Sequence, residues 1–572
     1  MGVSRLQTFL KNQVPGGYSK VSIETEIRHH PSSTIPPIIV VDLKSLCGSI
    51  SGADRPGLLY GGRYELVYRQ LDKFFGRLTT LGVKLVFVSD GPTRPSRFDC
   101  WMKRSDDRYN NFIKIIDAVD SGKLGLDSLV QHFGNDIPAN TYPFEEIARK
   151  HGTFRLSIAS DCDQDVATYA TLQRAMAVIT NDTDFLIFNA TWRIWVASGL
   201  DMDEFTTFQF NRTNLIQYLE LNRNQMPLLA SLAGNDIIDY QELKLFHSRI
   251  GDPKQTIKNI ANFILSRPNE SVKALLSQVF DRTSAELENR FQSSIDSYNI
   301  NSSTLDSYID PDKNLQILLS ENNEFAYQLW TENPFQLTAF FIDLRSEGNG
   351  FDYAELLFPL LERQAGIILW EKPSINEFTL IIKTHHNAPH AKIKRHVKRP
   401  EHMAALSFSD LFSKDSVVQE NTRTTRLQLF CWVVSDKLDY VRIQSVPESL
   451  RVTVATLYYL IEKKILKLFE ADLLLHVSHE VCSGSYDLRT LTLPKFLKPR
   501  PFRVAFLFTG LYRQMSEAYE RLGLTGKDSL NYPRFDGVLF HELYNECTLA
   551  EKPYDEIREW RLYAPEMMEK NP

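Results

Sequence analysis

Acidic residues recur at the ends of short apolar runs in the first 240 positions, and this pattern constrains the fold more than any other. Ile38-Ile39-Val40-Val41 ends on Asp42, and Lys84 to Ser89 ends on Asp90. Arg155 to Ala159 runs into Asp161 and Asp163, and Ala177 to Thr180 runs into Asp182 and Asp184. Asp236 follows a further apolar stretch, LLASLAGN. Amphipathic segments such as 64–81 and 164–176 separate the runs. Short apolar strands alternating with helices predict an α/β fold, a parallel sheet covered on both faces. In such sheets ligands gather outside the carboxyl ends of the strands. The predicted site is therefore a rim of seven aspartates.

Each acid also has a plainer explanation. Ser160 and Asp163 fit a capping box opening the next helix, and Asp182 suits a turn. Recurrence after successive strands argues for more. Seven carboxylates cannot share one rim in ionised form without cations. An all-oxygen donor set favours Mg²⁺ or Mn²⁺ over zinc. Two such ions about 4 Å apart suit phosphodiester hydrolysis.

Composition excludes some alternatives. Lys and Arg total 65 against 71 acids, a net charge of −6, so the chain is not a globally basic nucleic-acid binder. A local basic patch is still compatible with that balance. The cysteines at 47, 100, 162, 431, 482 and 547 form no CxxC pair, which speaks against structural zinc and a disulfide framework. No run of roughly 18 uncharged apolar residues occurs, so no membrane partner is expected. The N-terminus lacks a signal layout, and Leu6 breaks the myristoylation pattern.

Four stretches give the chain a family resemblance: MGVSRLQTFL at the start, LLYGGRYELVYRQLDKFF, SDCDQDVATYATLQRAMAVITNDTDFLIF and PLLASLAGNDI. Together they resemble the flap endonuclease superfamily, whose core is a PIN-like fold, and within it the asteroid branch. The resemblance covers about residues 1–265. It implies that Asp42, Asp90, Asp161, Asp163, Asp182, Asp184 and Asp236 bind two Mg²⁺, with Mn²⁺ as a substitute. Asp42, Asp90, Asp161 and Asp163 would mainly hold one ion, and the other three would favour the second. The superfamily usually has Glu where Asp161 stands, and the shorter side chain reaches about one methylene less.

The resemblance extends to basic residues. Arg97 and Arg104 fall where the superfamily steers the scissile phosphate with a Lys and an Arg, seven residues apart on one helical face. Arg94 and Lys103 add charge nearby. Gly2 would lie near the site and the nucleic acid. The superfamily's duplex-binding helix–hairpin–helix loop is represented only by Arg249 to Lys254, with Gly251 as its one glycine. Lys254 there is a candidate phosphate contact, although an ordinary turn fits equally well.

The expected organisation is a nuclease domain over 1–265 with a helical arch at about 94–150. A helical extension (266–382), a basic linker or loop (383–403) and a helical C-terminal domain (404–572) follow. Lys394 and Arg395 in the basic segment are candidate nucleic-acid contacts, and the segment also fits a nuclear import signal. The expected activity is structure-specific cleavage of DNA at flaps or single-stranded overhangs during repair. The expected location is nuclear, or nuclear and cytoplasmic. RNA is an open alternative substrate. A catalytically weak or inactive scaffold, RNA-binding or signalling protein is the alternative role.

Overall fold

The computed structural model describes residues 2–30, 36–91, 93, 95, 98–133, 142–157, 161–268, 270–300, 312–320, 323–337, 353–495, 497–526 and 532–549. They form two compact units that interleave along the chain. The first comprises Met1–Ser49, Leu71–Gly91 and Ala148–Ile309, and the second Ile50–Gln70, Pro92–Ile147 and Asp310–Pro572. Residues 50–70 and 92–147 thus belong with the C-terminal half, not with a contiguous 1–265 domain.

The first unit is built on a seven-stranded mixed sheet. Its strands are β1 (Tyr18–Ser22), β2 (Ile38–Asp42), β3 (Lys84–Asp90), β4 (Gly152–Ser157), β5 (Ala177–Thr180), β6 (Arg193–Asp201) and β7 (Thr206–Phe210), in the order β1-β7-β6-β5-β2-β3-β4. The five strands from β6 to β4 are parallel, and β7 and β1 extend the sheet antiparallel. All five residues of β2 and all four of β5 are buried, as expected for central strands covered on both faces. The chain moves from β2 outward to β3 and β4, then crosses to β5 on the other side of β2. That reversal opens a crevice at the carboxyl ends of β2 and β5.

The helix Cys162–Leu172 packs on β2 and β3, burying Val166, Ala167 and Ala170. Two helices, Met226–Ala233 and Ala285–Asp296, pack together and carry the polypeptide back toward the rim.

The second unit is mainly helical, with a small sheet of β8 (Phe335–Gln336), β9 (Glu377–Ile382) and β10 (Ala391–His396). The segment expected as an arch is helical, at Phe98–Ser121 and Leu126–Phe133; positions 134–141 lie outside the described residues. The apolar face of Phe98–Ser121 is covered. Phe112 meets Phe502 and Phe506 of the helix Pro499–Arg521 at ring separations of 6.2 and 5.3 Å. Arg503 on that helix grips Asp120 with two bonds of 2.7 and 2.6 Å.

Residues 383–403, expected as a basic linker or loop, contain β10, paired antiparallel to β9. Alternation explains the strand: Ile393 lies between Lys392 and Lys394, and the branched side chain suits a pleated surface. In the YGG segment, Gly61 and Gly62 have φ of 99° and 102°. A Cβ at Gly61 would come within 2.8 Å of Ala505, so glycine is required there.

Candidate functional site

The carboxyl ends of β2, β3 and β5 carry the first acids of the site. Asp42 closes β2. Its Oδ1 accepts a bond from the Ser45 backbone N–H (3.2 Å), and its Oδ2 accepts from the hydroxyls of Ser45 (2.5 Å) and Thr180 (2.8 Å). Burial pushes its carboxyl up, the hydroxyl bonds oppose this, and the charge of Asp90 adds to the rise. Asp90 closes β3, is exposed, and forms an ion pair with Lys44 Nζ at 2.5 Å.

Asp161 is the N-cap residue of the helix Cys162–Leu172, yet its side chain makes no capping bond. The expected cap, Ser160, lies outside the described residues. Asp165, two residues beyond Asp163, is a structural acid: its buried carboxylate accepts the Ser157 hydroxyl.

Asp182 does serve a turn, because its Oδ1 accepts the Asp184 backbone N–H at 2.9 Å. Asp184 Oδ1 accepts the hydroxyl of Tyr298 at 2.7 Å, and that hydroxyl in turn receives Nδ2 of Asn235 at 3.0 Å.

Three acids converge. Ligand oxygens of Asp163, Asp182 and Asp184 lie within 4.8 Å of one another. Burial, then the charges of Asp182, Asp42, Asp161 and Asp184, pushes the Asp163 carboxyl well up. Burial and repulsion from Asp182 do the same to Asp184, and Asp182 is raised to about 6. Among the described residues no cation is ion-paired with these three carboxylates. Like charges packed together without a counterion must take up protons or bind a cation. The all-oxygen set suits a hard divalent ion, so the residues fit Mg²⁺ or Mn²⁺. The trio takes Asp163 from one expected ligand group and Asp182 and Asp184 from the other.

Asp236 is exposed at the turn after the helix Met226–Ala233, and its charge is felt at Asp182 and Asp184. Gly234, with φ 100°, makes that turn, and Asn235 Oδ1 fixes it by accepting the backbone N–H groups of Ile237 and Ile238. Gly2 abuts the cluster: a Cβ at that position would lie 2.1 Å from Asp182 Oδ1. Ser4 N–H donates to the Gly234 carbonyl, so the N-terminal segment is pinned beside two acid-bearing loops.

Arg94 and Arg97 lie outside the described residues. Lys103 and Arg104 are exposed on the helix Phe98–Ser121, in the second unit. Lys254 is exposed in a 3₁₀ turn between two helices, where Asp252 caps its backbone N–H and its carbonyl accepts Gln13. In β10, Lys394 pairs with Glu377 at 3.3 Å. Arg395 pairs with Glu362 at 2.5 Å and stacks over Phe358.

Sequence reading missed the supporting residues. Lys44 and Ser45 follow Asp42 directly, and Thr180 precedes the NDTD motif, so proximity was a usable signal. Asn235, directly before Asp236, had the same signal, and Tyr298 had none, because its pairing is long-range.

The model of the FAM120A-like domain matches residues 219–302, the stretch that contains Asn235, Asp236 and Tyr298. The constitutive coactivator of peroxisome proliferator-activated receptor gamma from Bos taurus is 30% identical over 246 residues, 42% of this chain and 33% of that protein. The Homo sapiens protein of the same name is 27% identical over 285 residues, 48% and 30% respectively. The matched region thus spans about a third of each relative. These relatives are named coactivators, not asteroid proteins.

Among solved structures, the catalytic core of Rad2 in complex with DNA substrate is 17% identical, covering 53% of this chain and 87% of that one, with a TM-score of 0.30. Human GEN1 in complex with Holliday junction DNA is 14% identical, covering 64% and 80%, with a TM-score of 0.28.

Proposed function

We propose that this chain is a divalent-metal-dependent, structure-specific endonuclease of the asteroid branch, with a PIN-like core, acting on DNA phosphodiesters at flaps, overhangs or related junctions in repair. The observation that carries the reading is the convergence of Asp163, Asp182 and Asp184 at the crevice beside β2 and β5. Those three would hold Mg²⁺ or Mn²⁺, and Asp42, Asp90, Asp161 and Asp236 complete the acidic rim. A bound divalent ion supplies a nucleophilic water near neutral pH. Tyr298 fixes Asp184, and Thr180 and Ser45 fix Asp42, so the donors are preorganised. Arg97 and Arg104 would stabilise charge on the scissile phosphate. Gly2, Arg94, Lys103, Lys254, Lys394 and Arg395 would contact the nucleic-acid backbone. The protein would act in the nucleus, or in nucleus and cytoplasm, with RNA an open alternative substrate.

A second reading is favoured by the coactivator names of the sequence relatives. In it the chain is a protein-binding scaffold that keeps the fold without turnover. Cleavage of labelled flap, overhang, single-stranded and RNA substrates in Mg²⁺ or Mn²⁺ separates the two. Endonuclease function requires cleavage by the wild type and its loss in Asp182→Ala and Asp184→Ala. No cleavage of any substrate sinks it, and unchanged cleavage by both variants sinks the site.

A further inference from the structure

Lys44 occupies a position that its own helix disfavours. It lies in the first turn of the helix Leu43–Ala53, where the positive end of the helix dipole repels a cation. It follows Asp42, the last residue of β2, by only two positions, so the backbone carries it to the acidic rim. There Nζ meets Asp90 Oδ2 at 2.5 Å.

The two sides of the rim therefore differ in what they still lack. On the β2–β3 side, Asp42 already accepts three hydrogen bonds and Asp90 already has a cation. On the β5 side, Asp163, Asp182 and Asp184 have no ion-paired Lys or Arg among the described residues, although the charge of the N-terminal ammonium bears on Asp182. We propose that Lys44 supplies at Asp90 the positive charge that a second divalent ion would bring, so that the rim takes one divalent ion, at Asp163, Asp182 and Asp184. This rests on the metal-site reading above.

The test is Mn²⁺ binding by the full chain, followed by calorimetry and by the electron paramagnetic resonance of free Mn²⁺, without substrate. The wild type is expected to bind a single equivalent, and Asp184→Asn to lose it. Lys44→Met and Lys44→Gln, which free Asp90, are expected to gain a second equivalent; Lys44→Arg and the double variant Lys44→Met/Asp90→Asn are expected to retain one. Circular dichroism verifies folding, and the exposed position makes both neutral variants tolerable. Two equivalents in the wild type, or one equivalent in both the wild type and the neutral variants, would overturn the Lys44 assignment and leave the metal site standing. No Mn²⁺ bound by any form would overturn the metal site itself, and Lys44's role with it.

Discussion

At the carboxyl edge of the large sheet, Asp163, Asp182 and Asp184 crowd together with no cation paired to them among the described residues. In the second unit, charge is just as dense around β10, but it is matched. Lys383 and His390 share Asp106 at 3.2 and 2.8 Å, Arg395 takes Glu362, and Lys394 takes Glu377. His390 and Lys383 hold the Asp106 carboxyl below its usual range despite its desolvation. Deeper in the same unit, Arg63 pairs with the fully buried Asp536 at 3.0 Å. Charges neutralised from within need no outside partner. Like charges left unmatched cost stability. The contrast teaches that a basic-looking segment and an acid-rich one are told apart by partners and not by composition.

That contrast can be broken or sharpened experimentally, and the largest effect belongs to the acids. If the β5 side is the reaction centre, Asp184→Ala lowers cleavage on the order of 10²–10³-fold, as for loss of one preorganised electrostatic group. Single-turnover rates measure it, and an unchanged rate would erase the distinction between the two regions.

The next effect belongs to the second unit. Arg63→Ala leaves Asp536 buried without its partner, and the expected loss is about 3–5 kcal/mol of folding stability. Chemical denaturation reads it. A loss no larger than that of an exposed pair would mean that this ion pair is not structural.

A pH series in chelator follows from the raised carboxyls. Asp182 titrates near 6 when folded against an ordinary value of 3.8. Between those values the folded state binds more protons than the unfolded state, so its stability falls as pH rises through this window. Melting temperature in chelator should therefore decline from about pH 4 to above 6, and Mg²⁺ or Mn²⁺ should offset the decline. Asp182→Asn should flatten the profile, and a profile rising through that window would contradict the crowding.

The smallest effect is expected for Lys394→Ala. Its pair with Glu377 is solvent-exposed, so stability should change by less than about 1 kcal/mol. If Lys394 contacts a phosphate, the variant instead lowers the salt slope of nucleic-acid binding by about one.

Much of the first unit was readable because each strand announces itself locally. IIVVD, KLVFVSD and AVIT are short apolar runs, and all three are parallel strands of the sheet. Six of the seven acids were readable for the same reason, since each follows its strand within a few residues; the apolar run before Asp236 is instead the helix Met226–Ala233. The arch segment was readable as helix but not as part of another unit's core. Phe112 meets Phe502 and Phe506 across hundreds of positions, and no local pattern encodes that meeting. The ion pairs of the basic segment were not readable, because the partners Asp106 and Glu362 are far from it in sequence.

The sequence by itself determined the α/β class, the central strands and the acids at their carboxyl ends, because period and spacing are local properties of the chain. Tertiary structure alone decided which acids meet. Strand order brings β5 beside β2, Tyr298 reaches Asp184, Gly2 lies against Asp182, and Lys44 turns onto Asp90. Those are long-range juxtapositions set by how elements pack, and no local pattern in the chain encodes them.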